Sequence, residues 1–274
     1  MHKKIMKEGI KVYKLVAIDC DGTLLNDQKE LTERTINSIK NASQKVKIVI
    51  STARSFYRVE EYLRKMNLLK NDQYTICLNG GCIVNNGNQK EIESHTFIKD
   101  DIEELIQLSR QLGTQISLYA YNRLIVEKIP ERFKNNKKIN FEIVKTEQLE
   151  IDKYNIYKIV FVDKPEKIIK MRKELDKKVL EKYEVTSSIP EYIEFVPKGI
   201  TKQKSLENLC NILGIEKREV IAIGDAENDI EMIQFAGLGI AMENAGNIVK
   251  EIADDITDSN NEDGVAKAIE KYIV

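Results

Sequence analysis

The chain carries no excess of charge of one sign: 43 Lys and Arg stand against 44 Asp and Glu in 274 residues, a formal net charge of −1. No field over the whole molecule therefore draws it to nucleic acid or to an anionic membrane. Long apolar runs are missing too. No segment approaches the roughly 20 apolar residues of a membrane-spanning helix. The basic opening MHKKIMKEGIKVYK has no apolar stretch of about 7–15 residues such as a secretory signal carries. These absences point to a cytoplasmic protein with neither nucleic acid nor membrane as partner. Cysteines are few, at positions 20, 77, 82 and 210, without the close spacings of a zinc site or the density of a disulfide framework, and read as reduced thiols. Cys20 reads as a small side chain turned inward. The two histidines, His2 and His95, lie far in sequence from the motifs below and read as surface residues.

What is present is rhythm. At 274 residues two domains are the starting expectation. Continuous apolar runs recur at Leu15–Ile18, Lys47–Ile50, Thr75–Leu78 and Val220–Ile223. Runs of this kind suit parallel strands covered on both faces. Between them, Leu31–Ser43 and Phe56–Met66 carry apolar residues at helical spacing, and a helix from Thr201 is expected to stop at Gly214. Strand and helix in alternation predict an α/β core with a doubly wound, mostly parallel, Rossmann-like sheet.

The middle of the chain breaks that alternation. Cys82–Gly87 reads as a strand entering an Asn-Gly turn, and Gln115–Glu127 as a hairpin around Tyr121-Asn122. A helix is expected over Asp100–Leu112, and a longer one over Pro165–Tyr183, with Ile168, Ile169, Met171, Leu175, Val179 and Leu180 as its buried stripe. This is α+β patterning. It predicts an insertion at 85–188 that splits the core into residues 1–84 and 189–274.

Two stretches concentrate carboxylates where strands end. Val16-Ala17-Ile18 runs into Asp19-Cys20-Asp21-Gly22-Thr23, and Val220–Ile223 runs into Gly224-Asp225-Ala226-Glu227-Asn228-Asp229. In open α/β sheets the carboxyl ends of strands form the ligand crevice. Carboxylates gathered there need a cation. A set of oxygen donors with no histidine nearby favours magnesium, which shares its shell with water and substrate phosphate. An EF-hand reading of Asp19–Glu30 fails, because a strand precedes the loop and Leu24 and Leu25 sit inside it. Ser51-Thr52 after the second strand offers a hydroxyl, and Lys202 in the first turn of its helix offers an ammonium. Either alone would be an ordinary cap or a solvated lysine.

Taken in order, DCDGTLL, STAR, NGG, KGITKQKSL, GDAENDIEMI and GLGIAMENA resemble the haloacid dehalogenase-like superfamily, and within it the Cof-type phosphatases with an inserted α+β cap. The resemblance implies Asp19 as nucleophile and Asp21 as general acid and base, which requires Asp21 to carry a proton in the free enzyme. It implies Thr52 and Lys202 on the phosphoryl oxygens. For Mg2+ it implies Asp19, the main-chain carbonyl of Asp21, and Asp225. Asn228 and Asp229 follow as supporting residues near metal and lysine, and Asn79 with Gly80 as a loop facing substrate. Ala53 and Gln203 stand where the family commonly has glycine. The expected activity is hydrolysis of a small phosphorylated metabolite through an aspartyl-phosphate, by a monomer or weak homo-oligomer. A sugar phosphomutase and a phosphoacceptor signalling module are the alternative readings.

Overall fold

Burial explains the apolar runs. In β1 (Leu15–Ile18), Val16 and Ile18 pack into one hydrophobic cluster while Leu15 and Ala17 pack into another on the opposite face, and all four are fully buried. A strand covered on both sides has no polar face to alternate with. The computed structural model describes residues 12–131, 139–145 and 148–273. After β1 come α1 (Glu33–Ala42), β2 (Lys47–Ser51), α2 (Glu60–Lys65), β3 (Tyr74–Cys77) and the hairpin β4 (Cys82–Asn85) and β5 (Glu91–Ser94). Then follow α3 (Lys99–Gln111), β6 (Gln115–Ala120), β7 (Arg123–Val126), β8 (Phe141–Ile143), β9 (Ile156–Val162), α4 (Pro165–Glu174), α5 (Lys177–Lys182), β10 (Tyr183–Thr186) and β11 (Tyr192–Pro197). The alternation resumes with α6 (Lys202–Leu213), β12 (Val220–Gly224), α7 (Ile230–Phe235), β13 (Leu238–Met242), α8 (Asn247–Ile252), β14 (Asp255–Thr257) and α9 (Gly264–Tyr272). Among the described residues no helix is long and apolar enough to cross a membrane.

Two sheets result. The first has the order β14-β13-β12-β1-β2-β3-β4-β5, parallel from β14 to β3 and antiparallel over the final hairpin. β1 sits between β2 and β12, so the chain departs from β1 to one side and returns on the other. That is the switch point at which such sheets open a crevice. The second sheet, β10-β11-β9-β6-β7-β8, is antiparallel except for β7 beside β8. One of its faces packs on α3, α4 and α5 around Ile159, Phe161 and Phe195, and its other face joins the cluster of the first sheet through Tyr157, Val160 and Tyr192.

The fold is the expected α/β core with an inserted α+β unit, with three local differences. The chain leaves the first sheet only after Ser94 and the second only after Pro197, whereas the patterning placed those borders at 85 and 188. The hairpin β4–β5 extends the first sheet from β3, past the Asn-Gly turn, and β11 pairs with β9 in the second sheet. The helix expected over Pro165–Tyr183 is two helices, because Leu175 is extended (ψ 131°) and the Asp176 side chain caps a new start at Lys178 N. Leu180, after the break, and Ile169, off the Ile168–Met171 face of α4, were expected to be buried and are exposed.

One contact of this fold aims a key side chain. The N-terminus of α6, capped by Thr201 Oγ1 accepting from Lys204 N at 3.1 Å, lies against Gly80, whose φ is +96°. A Cβ at Gly80 would stand 2.4 Å from the carbonyl oxygen of Thr201. Only glycine supplies both the backbone conformation and the room. Gly80→Ala should therefore cost about 2–4 kcal/mol in urea melts; a cost below about 1 kcal/mol would show that α6 shifts freely.

Candidate active site

The carboxyl ends of β1 and β12 deliver the acidic loops side by side. Leu15 to Ile18 pair in register with Val220 to Ile223, and Asp19 N donates to Ile223 O at 3.0 Å. Asp19 therefore stands level with Gly224, and Asp225 follows one residue beyond on the neighbouring strand. Gly22 (φ +86°) turns the first loop directly over the second, and a Cβ there would stand 2.4 Å from Asp225 Oδ2. Thr23 Oγ1 donates to Asp225 Oδ1 at 2.6 Å and fixes that carboxylate.

Lys202 reaches this point from α6. Its Nζ donates to Asp19 Oδ1 at 2.6 Å and to Asp229 Oδ1 at 2.7 Å, and all three side chains are at least nine-tenths buried. Asp229 Oδ2 accepts the amides of Asp225 and Ala226, each at 3.1 Å. Asp229 therefore holds both the lysine and the loop that carries Asp225. Carboxylate oxygens of Asp19, Asp225 and Asp229 all lie within 4.8 Å of one another. Three carboxylates face one ammonium. Burial, then the repulsion of Asp229, raises the carboxyl of Asp225 to about 6; burial and the same neighbour raise that of Asp19 against the pull of Lys202.

Asp21 stands apart from this cluster. Arg54 Nε and Nη2 each donate to it at 2.6 Å, one to each oxygen, and Lys29 Nζ lies 3.1 Å away. Burial alone would raise its carboxyl, but Arg54 and Lys29 outweigh burial and hold it well below the usual carboxylate range. The proton that an acid role requires of Asp21 in the free enzyme is thus disfavoured in this conformation, and its side chain is not among the clustered carboxylates.

The other expected residues fall in three places. Thr52 is buried at the end of β2, where its Oγ1 accepts from Arg54 N at 3.1 Å. Asn79 (φ +59°) is buried, accepts from Asn228 Nδ2 at 3.0 Å and donates through Nδ2 to Glu194 at 2.6 Å. Gly80 faces Thr201 and not an open space, which corrects the expectation that it faces substrate. Cys20 is buried in the core, where desolvation pushes its thiol up to about 12. His95 pairs with Glu93 away from the acidic loops, and His2 lies outside the described residues.

Above the cluster opens a cavity of about 500 Å³ between the two sheets. Asp19, Asp21, Asp225 and Asn228 line its floor; Arg54, Arg58 and Tyr62 line one side; Tyr119, Lys158, Ser188, Tyr192 and Glu194 close it from the second sheet. Sequence reasoning missed Arg54, Lys158 and Glu194. Arg54 was visible within the STAR motif beside Thr52; the other two lie in strands whose charged residues look like solvated ones.

Comparisons with known proteins give the family and the fold. A family model described as haloacid dehalogenase-like hydrolase matches residues 16–269. The chain belongs to the haloacid dehalogenase-like hydrolase family. YxeH of Bacillus subtilis is 37% identical over 271 residues, covering 96% of this chain and 99% of its own. The 5-amino-6-(5-phospho-D-ribitylamino)uracil phosphatase YcsE of the same organism is 34% identical over 271 residues, covering 98% and 99%. A crystal structure of a haloacid dehalogenase-like hydrolase from Bacteroides thetaiotaomicron superposes with a TM-score of 0.82 at 30% identity, covering 94% and 99%. This family member is a phosphatase of the Cof type.

The raised carboxyl of Asp225 sets a test of the site's electrostatics. A carboxyl raised from 3.8 to about 6 on folding costs stability above pH 6, where it is ionised in both states, and nothing below pH 3.8, where it is protonated in both. Asp225→Asn, which keeps the acceptor for Thr23, should raise the melting temperature of the chelator-treated protein at pH 8 by about 2–6 °C. The gain should shrink toward pH 4. A lower melting temperature at pH 8 would contradict the assignment of unbalanced negative charge.

Proposed function

We propose that this phosphatase hydrolyses small phosphorylated metabolites, sugar phosphates or related monoesters, by a magnesium-dependent route through a phosphoryl group carried on Asp19. The observation that carries the reading is the Lys202 ammonium held between Asp19 and Asp229 at the base of the cavity. Lys202 holds one oxygen of Asp19, which leaves the other for in-line attack on phosphorus. The phosphorus–oxygen bond to the leaving group then breaks, an acyl phosphate forms on Asp19, and the leaving oxygen takes a proton. Water attacks the same phosphorus in the second half, releasing inorganic phosphate and restoring the carboxylate. Lys202 and the hydroxyl of Thr52 bind phosphoryl oxygens in both halves. Asp229, already satisfied by the lysine and two amides, acts by keeping Lys202 and Asp225 in place.

The donor set fits magnesium. Asp19, Asp225 and Asp229 offer only oxygen, and their charge exceeds that of the one lysine. Asp19, Asp225 and the main-chain carbonyl of Asp21 would hold the ion, which when bound supplies positive charge to the phosphoryl oxygens.

Asp21 is the acid and base of this reading, and Arg54 sets the condition for it. While Arg54 grips both oxygens, Asp21 stays ionised. A substrate phosphate dianion entering the cavity competes for Arg54 and Lys29. Asp21, released from them, regains the affinity for the proton that it delivers to the leaving oxygen, and its carboxylate then takes a proton from the attacking water. Enclosure by the second sheet gives the cavity a wall for the leaving group, which a mere phosphoacceptor would not need. The compound for which YcsE is named, a phosphorylated ribityl chain on a uracil, belongs to this size and class.

The test is phosphate release from a panel of phosphorylated metabolites that includes 5-amino-6-(5-phospho-D-ribitylamino)uracil, with magnesium and with chelator, by the full chain and by Asp19→Asn. Release should require magnesium and should fall by about 10³-fold or more in the variant. Release unaffected by Asp19→Asn would contradict the assignment of the nucleophile.

A further inference from the structure

The wall given by the second sheet contains a buried ion pair that none of these steps uses. Lys158 on β9 and Glu194 on β11 project from neighbouring antiparallel strands toward the first sheet, at 2% and 0% exposure. Lys158 Nζ donates to Glu194 Oε2 at 2.9 Å and to the main-chain oxygen of Ala53 at 2.7 Å, and it stands 4.6 Å from the centre of the Tyr119 ring. Two of its three protons are hydrogen-bonded, and its charge stands over a ring. Glu194 Oε2 also accepts from Asn79 Nδ2 at 2.6 Å, and Oε1 accepts from Ser188 Oγ. The contacts of both groups are with the protein's own segments, as those of a joint would be.

What the joint connects is specific. Ala53 lies between Thr52 and Arg54, the residue that grips Asp21. Asn79 accepts from Asn228 Nδ2, and Asn228 lies in the loop of Asp225 and lines the cavity with a buried Oδ1 that has no partner in the structure. One run of hydrogen bonds therefore reaches from the second sheet to both loops of the active site. A buried ion pair is a weak source of net stability, since desolvation consumes most of its attraction, whereas loss of one member leaves a buried charge unpaired. Burial lowers the Lys158 ammonium even beside Glu194. The pair is therefore better explained by what it orients than by what it stabilises.

We propose that Lys158 and Glu194 are positioning residues that lock the inserted sheet onto the 52–54 loop and, through Asn79, hold Asn228, so that the leaving-group half of the cavity keeps one shape. The consequence for selectivity rests on the phosphatase reading; the docking itself does not. Disturbing the joint loosens the wall around the leaving group, and with it the 52–54 loop and the segment around Asn228, while Asp19 and Lys202 keep their contact. A substrate that fills the cavity then loses more than a minimal phosphoryl donor does.

Two measurements on the full chain test this with Lys158→Met and Glu194→Gln. In hydrogen–deuterium exchange, peptides covering 52–54, 78–81 and 225–229 should exchange about tenfold faster in both variants, while α9, packed on α1 and β14, should not change. Unchanged exchange in those loops overturns the proposal. In kinetics, the ratio of kcat/KM for the best metabolite to that for acetyl phosphate cancels any loss of folded enzyme and should fall about tenfold. A ratio that holds while both values decline with the melting temperature shows a merely structural pair and overturns it. Absence of all turnover in the unaltered chain would count against the phosphatase reading, and the exchange measurement would still decide the docking.

Discussion

The Lys202 ammonium, shared at 2.6 and 2.7 Å between Asp19 and Asp229, is the interaction on which the rest of the site depends. It ties together three segments far apart in sequence: the end of β1, the first turn of α6 and the loop after β12. Remove its charge and three carboxylates would be packed within 4.8 Å without a resident cation. With it, the cluster is still short of positive charge, which is what a site built to receive a divalent cation and a phosphoryl group requires. The parallel sheet supplies the geometry. β1 and β12 end side by side because they pair residue for residue, and the switch in strand order at β1 leaves room above them.

Around that floor stand two groups whose contacts a bound substrate would compete for or press against. Asp21 is held ionised by Arg54 and Lys29, so its reactive form depends on what else those cations find to bind. The second sheet lies over the cavity through Lys158, Glu194 and Asn79, and its contact with Ala53 places it one residue from Arg54. The contact that holds the wall and the guanidinium that holds Asp21 thus belong to neighbouring residues on the same loop. On the proposed mechanism this adjacency would couple the covering wall to Asp21 without any long-range device.

Much of this was legible in the sequence because the physics is local. A strand buried on both faces reads as an unbroken apolar run, as in Val220–Ile223, and carboxylates directly after such a run mark a strand's carboxyl end. Gly214 stops α6 in the left-handed conformation its position implied. What was hidden depends on contacts between distant segments. Nothing near Asp21 in sequence reveals that Arg54 grips it, and nothing in Ile156–Val162 distinguishes Lys158 from a solvated lysine until Glu194 arrives from another strand. Asp229 read as a supporting residue; its contacts with two amides and with Lys202 could not be seen in the sequence. The sheets exchange after Ser94 and Pro197, beyond the expected 85 and 188, because the Asn86-Gly87 turn closes a hairpin within the first sheet and does not mark the exchange between sheets.

The account stands on Asp19 as the atom to which phosphorus transfers. The most direct measurement is to mix the full chain with magnesium and its best substrate, quench in acid within the first turnovers, reduce with borohydride, and map the peptides by mass spectrometry. Reduction of an acyl phosphate converts that carboxyl to an alcohol, and the account predicts the modification at position 19 alone. Modification at position 21, 225 or 229, or turnover with no modified carboxyl at all, would contradict it.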